Sequence, residues 1–365
     1  MKVYNLSEES RSDRKKCTDP NSKKPKSKKP NNIKPNSKKA ICVNPKYIKA
    51  LTVVLALLMV FAYLYHPMDQ SVHICFLDVG QGDSIVIRNG RSGFIIDGGG
   101  DRYMKDDFNK GKEVVIPFLM EEGIRKLDCA FVTHTDYDHI KGILEIMGNV
   151  PIGTIVLAKP YEGLLGYQGE EEQGQDRFLQ EGDEEDLLRQ LLDKAADLGI
   201  PVRYMEAGDR ILCEPLTFTC VYPAKGQVHS ELENNNSLVL RLDCYDFSCL
   251  LTGDVEGGGE LWMVDNQPLI ENVSILKVPH HGSNSSSTES FIEKTNPQAG
   301  LVSVGKNNYG HPSDIIRLRY KNFEIPLYTT QKYGMIEIAV NEDGYRLQSF
   351  KGVLQDEAVK STVKE

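Results

Sequence analysis

Two imidazoles and two carboxylates stand within six residues in Thr133-His134-Thr135-Asp136-Tyr137-Asp138-His139, directly behind the apolar stretch 127–133. An apolar run that ends in such a cluster reads as a buried strand delivering ligand-type groups to a sheet edge. A tight loop after the strand lets alternate side chains converge on one point, so one His/Asp pair is expected to bind one ion and the other pair a second. Mixed nitrogen and oxygen donors suit Zn²⁺ or Mn²⁺ better than Ca²⁺ or Cu(I). Asp138 can also cap a following helix, but capping does not require four ligand-type residues.

Three more strand-like runs end in similar groups. Leu250-Leu251-Thr252-Gly253-Asp254 places a carboxylate where it can bridge two ions. Gly-Asp alone is common in turns and gains weight only beside the other motifs. Leu276-Lys277-Val278-Pro279-His280-His281-Gly282-Ser283 offers two histidines whose side chains must diverge, so one is expected to bind metal and the other to donate a proton or meet the substrate. His311, in Tyr309-Gly310-His311-Pro312, follows another strand and is expected to reach the same pocket. His66, His73 and His229 have no partner motif.

Around this core the elements mix. Strands are expected at 72–79, 83–88, 93–96, 127–133, 201–205, 216–222, 236–243, 247–252, 273–278, 299–304, 326–330 and 334–340. Helices are expected at 113–123, 140–147, 184–198, 258–265, 288–294 and 313–321, with an acidic surface insertion at 170–186. The pattern is α/β, two sheets between helix layers.

Charge divides the chain. Residues 1–49 carry a net +11 and the remainder a net −20. Residues 1–46, rich in Lys, Pro, Ser and Asn, are expected to form a disordered basic cytoplasmic tail. Ala50 to Tyr65 runs apolar without a charge, so 47–66 is expected to act as an uncleaved transmembrane signal anchor. The positive-inside rule then places a hydrolase domain, 67–350, outside the cell membrane, followed by a flexible tail at 351–365. Six cysteines lie beyond the anchor without a CxxC pair, mostly in strand-like runs where Cys serves as a small core hydrophobe. Their number permits disulfides without establishing them.

Seven motifs in order resemble the metallo-β-lactamase superfamily, and within it the extracellular hydrolase domain of ComEC-type competence proteins. They are 76–84 (FLDVGQGDS), 96–99 (IDGG), 133–139, 234–238 (NNNSL), 251–254, 280–283 and 309–312, over about residues 71–345. The resemblance implies a four-layer αβ/βα sandwich with a binuclear site of Zn²⁺ or Mn²⁺. Carried over by position, His134 and Asp136 serve one metal and Asp138 and His139 the other. Asp254 bridges them, His281 completes a shell, and Asp97 supports the motif loop from behind. The superfamily histidine ahead of the bridging Asp is absent; Asn235 or Asn236 occupies that region, which favours a looser, Mg²⁺- or Mn²⁺-tolerant site. Ser283 is expected beside the substrate.

The chemistry implied is hydrolysis by a metal-activated water, with Asp138 orienting it and His280 or His311 protonating the leaving oxygen. The implied substrate is DNA, with competence machinery as a partner. A body of net −20 is a poor match to a polyanion. The alternatives are therefore a hydrolase of a phosphocholine-type ester, lactam or thioester, or a non-catalytic surface module.

Overall fold

A computed structural model of the protein describes residues 3–5, 49, 51–59, 71–100, 109–164, 184–228 and 233–351. Runs rich in Val, Ile, Leu and Phe suit a pleated, buried surface, and sixteen strands form among these residues. In chain order they are β1 (Val3–Asn5), β2 (Val72–Phe76), β3 (Ile85–Asn89), β4 (Ser92–Ile96), β5 (Cys129–Phe131), β6 (Ile155–Ala158), β7 (Val202–Met205) and β8 (Arg210–Cys213). Then follow β9 (Leu216–Tyr222), β10 (Val239–Cys244), β11 (Phe247–Leu251), β12 (Ile275–Lys277), β13 (Ala299–Val302), β14 (Leu327–Thr329), β15 (Ile336–Asn341) and β16 (Gly344–Ser349).

They collect in two eight-stranded sheets, ordered β16-β15-β2-β3-β4-β5-β6-β7 and β1-β8-β9-β10-β11-β12-β13-β14. The sheets face one another across an apolar core, where the ring of Phe218 on β9 lies 5.0 Å from those of Phe94 on β4 and Phe131 on β5. A second core separates the other face of the second sheet from α4 (Gly257–Asn266), α5 (Glu289–Thr295) and α6 (Asp314–Asn322), and contains Val239, Leu250, Met263, Phe291, Ile292 and Ile316. Helices α1 (Ile116–Glu121), α2 (Tyr137–Ile146) and α3 (Glu184–Leu198) contribute buried Leu119, Ile140, Ile143 and Leu191 to the larger core.

Strand direction decides where chemistry can gather. β2 and β3 are antiparallel, as are β3 and β4, while β4 and β5 are parallel, so β2, β4 and β5 end at one edge. In the second sheet β11, β12 and β13 are mutually parallel. Loops beyond the carboxyl ends of such strands are where open α/β sheets place their ligands.

Four strands were not legible in the sequence: β1, β6, β8 and β16. β8 and β16 are largely half-buried, so their apolar signal is diluted. The expected helix at 113–123 is a π-helical turn, Gly111–Val115, continued by α1. Val3–Asn5, within the expected basic tail, pairs with β8 in parallel at the sheet edge; Val and Tyr are strand-favouring residues that precede the Lys-rich run. The rest of that tail, the acidic stretch 165–183, His229 and residues 352–365 lie outside the described residues. So does much of the expected anchor; its described part is helical over 51–59, and no helix among the described residues is long and apolar enough to cross a membrane. The six described cysteines are all free, and burial raises the thiols of Cys75, Cys129 and Cys249 above the ordinary value.

A candidate metal centre at the seam of two sheets

The first sheet supplies three loops. Asp97 follows β4 directly in a left-handed conformation (φ 56°), and its buried carboxylate accepts from Thr133 N (2.8 Å), Thr133 Oγ1 (2.6 Å) and His139 Nδ1 (2.9 Å). A carboxylate only accepts, so Nδ1 of His139 carries a proton, and in the neutral ring Nε2 is the atom left to bind a metal. The 97–100 loop binds α2 through close backbone contacts: His139 O accepts from Gly98 N (2.8 Å) and Gly99 O from Gly142 N (2.7 Å). A Cβ on Gly142 would lie 1.9 Å from Gly98 O, so only glycine permits this approach. The third loop, after β2, carries Asp83, whose backbone N donates to Asp138 O at 3.2 Å.

The second sheet brings Asp254 after β11 and a turn after β12 in which His280 (φ 48°, ψ 46°) and His281 (φ 51°, ψ 20°) are both left-handed. Such conformations cost on the order of 1–3 kcal/mol each outside glycine and persist where the surroundings enforce them. Here they send the two rings to different places. His281 is buried and its Nδ1 donates to Ser303 O at 2.8 Å, which frees Nε2. His280 is half-exposed, 3.1 Å from Glu256 Oε1 through Nδ1 and 4.0 Å from Asp254 Oδ2 through Nε2.

These halves meet. Nε2 of His139 and Nε2 of His281 stand 3.3 Å apart. Asp254 Oδ2 lies 3.4 Å from the first and 3.2 Å from the second, and Asp138 Oδ2 lies 3.3 Å from His281 Nε2. His134, fully buried, keeps Nδ1 3.0 Å from Thr133 Oγ1. Its Nε2 finds no hydrogen-bond partner among the described residues, nor does Asp136 Oδ1; His134 Nε2 and Asp136 Oδ2 are 3.6 Å apart. Ligand atoms of His134, His139 and Asp254 cluster closely enough to share an ion, and so do those of Asp138, His139 and His281. Converging lone pairs with buried, unpartnered acceptors fit divalent cations.

The carboxylates set the protonation of these rings in the metal-free chain. Burial disfavours the charged form of His281, but Asp254 and Asp138 outweigh it and push its pKa up to about 10. Burial likewise opposes a charged His139, yet Asp254 and Asp97 hold it well above the ordinary value. Burial works to raise Asp138, but His281 and His139 keep it below the usual carboxylate range.

Two site residues were missed in the sequence although their motifs were read. Lys277, the last residue of β12, is fully buried; its Nζ donates to Gly253 O (2.6 Å) and Asp254 Oδ1 (3.2 Å) and is ion-paired with Asp83 Oδ2. Burial lowers a lysine, but Asp83 and Asp254 outweigh it and raise Lys277. Asp83 Oδ1 lies 3.7 Å from His281 Nδ1. A lysine inside an apolar strand and an aspartate in a Gly-rich turn carry no local signal of this pairing; only the fold brings them together.

The remaining expected residues spread around the rim. His311 is half-buried with its ring 5.8 Å from that of His280. Burial, then His281 and His280, push its pKa down to about 4. Near neutral pH it is an uncharged imidazole, poorly matched to protonating a leaving group, whereas His280 reaches Asp254 more closely. Ser283 bonds to Ser285 Oγ (2.9 Å), which is 3.3 Å from His280 Nδ1, so its contact with the site is indirect. Asn236 is fully buried, and Asn235 accepts through its backbone oxygen from Tyr222 OH while its Oδ1 finds no partner among the described residues. Next to them, Ser237 Oγ accepts from Asp254 N (3.3 Å) and Leu238 N donates to Thr133 O (2.8 Å), which ties the two sheets together at the site. His73 pairs with Glu337 away from the centre.

A family model described as Metallo-beta-lactamase superfamily matches residues 77–306. The chain is 29% identical to ComE operon protein 3 of Bacillus subtilis over 76% of its own length and 34% of that protein. It is 24% identical to the competence protein ComA of Neisseria gonorrhoeae over 78% of its length and 34% of that protein. It is also 23% identical to Recombination protein 2 of Haemophilus influenzae over 74% of its length and 29% of that protein. The chain thus spans about a third of the length of these relatives.

Proposed function

The chain belongs to the metallo-β-lactamase superfamily, and from that premise we propose that it is a metal-dependent phosphodiesterase that cleaves DNA. The observation that carries this reading is the convergence of His139 Nε2, His281 Nε2, Asp138 Oδ2 and Asp254 Oδ2 within 3.2–3.4 Å steps. Asp138, His139, His281 and Asp254 would hold one divalent ion. His134 and Asp136 would hold a second, sharing Asp254.

Charge balance supports two ions. Asp83, Asp97, Asp136, Asp138 and Asp254 bring five negative charges and Lys277 one positive, which with neutral imidazoles leaves four, the charge of two divalent cations. Neutralisation in a buried site removes most of the cost of keeping those carboxylates out of water. When bound, such ions supply Lewis acidity and bring the pKa of water down to about 7.

The protein's own groups do the rest. Asp97 holds His139 in the Nδ1–H tautomer, and Ser303 O does the same for His281. Lys277 holds Asp254 so that Oδ2 alone faces the histidines. His280, oriented by Glu256, stands at the open side of the centre, where it can pass a proton to a departing oxygen.

DNA as substrate is supported by the relatives named for competence and recombination. The apolar run after residue 49 supports a membrane tether beside competence machinery, while the pairing of Val3–Asn5 with β8 argues against a crossing that separates those residues from the hydrolase domain. The test uses the full chain, stripped of metal and reloaded with Mn²⁺ or Zn²⁺, on bis-p-nitrophenyl phosphate and on labelled single- and double-stranded DNA, with Asp138→Ala as the blank. Metal-dependent cleavage of both substrates, lost in the variant, is the expected result. Ester cleavage without DNA cleavage would move the assignment to a smaller ester, the reading that the net −20 of the remaining residues favours.

A further inference from the structure

Beyond His280 the site continues outward as a line of rings. The His280 and His311 ring centroids are 5.8 Å apart, and those of His311 and Tyr309 are 5.7 Å apart. The line starts 4.0 Å from Asp254 Oδ2 and ends at Tyr309, which is 57% exposed. The loop that presents it is braced from within. Asn307 Nδ2 donates to Gly305 O (3.0 Å) and His311 O (2.9 Å), and Asn307 Oδ1 accepts from Tyr309 N (3.1 Å) and His311 N (3.0 Å). One side chain thereby spends all its hydrogen-bonding capacity on holding this loop in shape. The same loop exposes Lys306, while Gly305 packs against Gly80 and Gln81 of the opposite sheet's loop. An exposed aromatic face on a preorganised loop, with a cation nearby and a hydrolytic centre two ring steps away, has the composition of a single-strand stacking platform.

The charge of the chain means that a strand bound here must be held by contacts other than ion pairs to its phosphates. Residues 50–365 carry a net −20, so a nucleic-acid strand gains little there from phosphate contacts. Base stacking is indifferent to that charge.

We propose that Tyr309 is the specificity-determining residue of this site, stacking an unpaired nucleobase that flanks the phosphodiester at the metal centre. The inference rests on the phosphodiesterase reading, and its test separates the two. The first arm compares kcat/KM of the Mn²⁺-loaded full chain on thymidine 5′-p-nitrophenyl phosphate and on the abasic 1,2-dideoxyribose 5-p-nitrophenyl phosphate, which differ in the presence of a base. Tyr309→Ala is expected to lower the ratio of the two by about tenfold, within the range measured for single base–aromatic stacks, while Tyr309→Phe retains it. A loss of scaffold would lower both rates and leave the ratio alone.

The second arm needs no turnover. In an Asp138→Ala background with Mn²⁺, dinucleotides of thymine and 2-aminopurine in both orders are titrated against the chain, because stacking quenches 2-aminopurine fluorescence. Quenching that Tyr309→Ala removes and Tyr309→Phe keeps supports the platform, and a duplex bearing a paired 2-aminopurine should not show it. Quenching unchanged in Tyr309→Ala, or absent in the Asp138→Ala parent, overturns it. Quenching without hydrolysis of either ester keeps the platform and rejects the phosphodiesterase.

Discussion

Lys277 occupies one carboxylate oxygen of Asp254 and leaves the other to face two histidines: Nζ lies 3.2 Å from Oδ1, while Oδ2 lies 3.2 and 3.4 Å from His281 and His139. A buried ammonium therefore decides how much of the central carboxylate remains for a metal. The second partner of Lys277, Asp83, is equally buried, so the lysine cannot leave without stranding two negative charges.

Lys277→Met should accordingly destabilise the metal-free chain by about 3–5 kcal/mol, the usual effect of removing one partner of a buried pair. Urea denaturation of the metal-stripped protein measures it. A change within about 0.5 kcal/mol would mean that the two carboxylates do not depend on Lys277 for compensation.

Metal binding should release protons near neutral pH. His281 titrates at about 10 and His139 well above the ordinary value in the metal-free fold, whereas a metal takes the neutral rings. The sign follows from linkage: a raised histidine pKa stabilises the metal-free fold below about 6.5, the unfolded value, and that contribution is lost as pH rises through 10. Metal affinity runs the other way and should climb across the same window. Calorimetry in buffers of different ionisation enthalpy would reveal the released protons; binding independent of buffer and pH would contradict the assignment.

Asp97 accepts three hydrogen bonds and fixes the His139 tautomer without facing the convergence point. Asp97→Asn should weaken metal affinity by about 10–100-fold, the range found when the carboxylate behind a metal-binding imidazole is lost. Equilibrium dialysis against Mn²⁺ would test this, and unchanged affinity would reduce Asp97 to a scaffold role.

His139→Ala should abolish hydrolysis and reduce the bound metal, since His139 belongs to both candidate ion clusters. Metal analysis alongside the bis-p-nitrophenyl phosphate assay distinguishes the two losses. Wild-type rates in the metal-loaded variant would end the site assignment.

Gly142→Ala places a methyl 1.9 Å from Gly98 O. It should cost about 1–3 kcal/mol through overpacking and displace Asp138 and His139 with their helix. Gly257→Ala, where a Cβ would meet nothing closer than 3.4 Å, is the control and should stay within about 0.5 kcal/mol.

What could be read from residues alone was the part carried by contiguous runs. The strand-then-ligand order around 133–139, 254 and 280–281 is local, and the fold brings those residues together. Helix 184–198 was legible to the residue because its apolar spacing is regular. Asp97 was placed behind the motif loop by the family resemblance, and its hydrogen bonds to Thr133 and His139 agree. Lys277, Asp83 and Ser237 were not legible, because their partners lie across the sheet interface. A split of roles between His280 and His281 was expected, but the two left-handed residues in succession that send the rings apart are anticipated by no propensity. His311 was expected, as an alternative to His280, to donate the proton because its loop follows a strand; its burial beside two other imidazoles lowers its pKa and disfavours a charged ring.

The seam between the sheets also bears on timing. His134 to His139 emerge from synthesis more than a hundred residues ahead of Asp254 and His281, and β15, which pairs with β2, comes later still. A chain translated only through its first half holds a carboxylate-rich loop without the imidazole and aspartate that complete the centre. Hydrolytic capacity is therefore withheld until the two halves have docked.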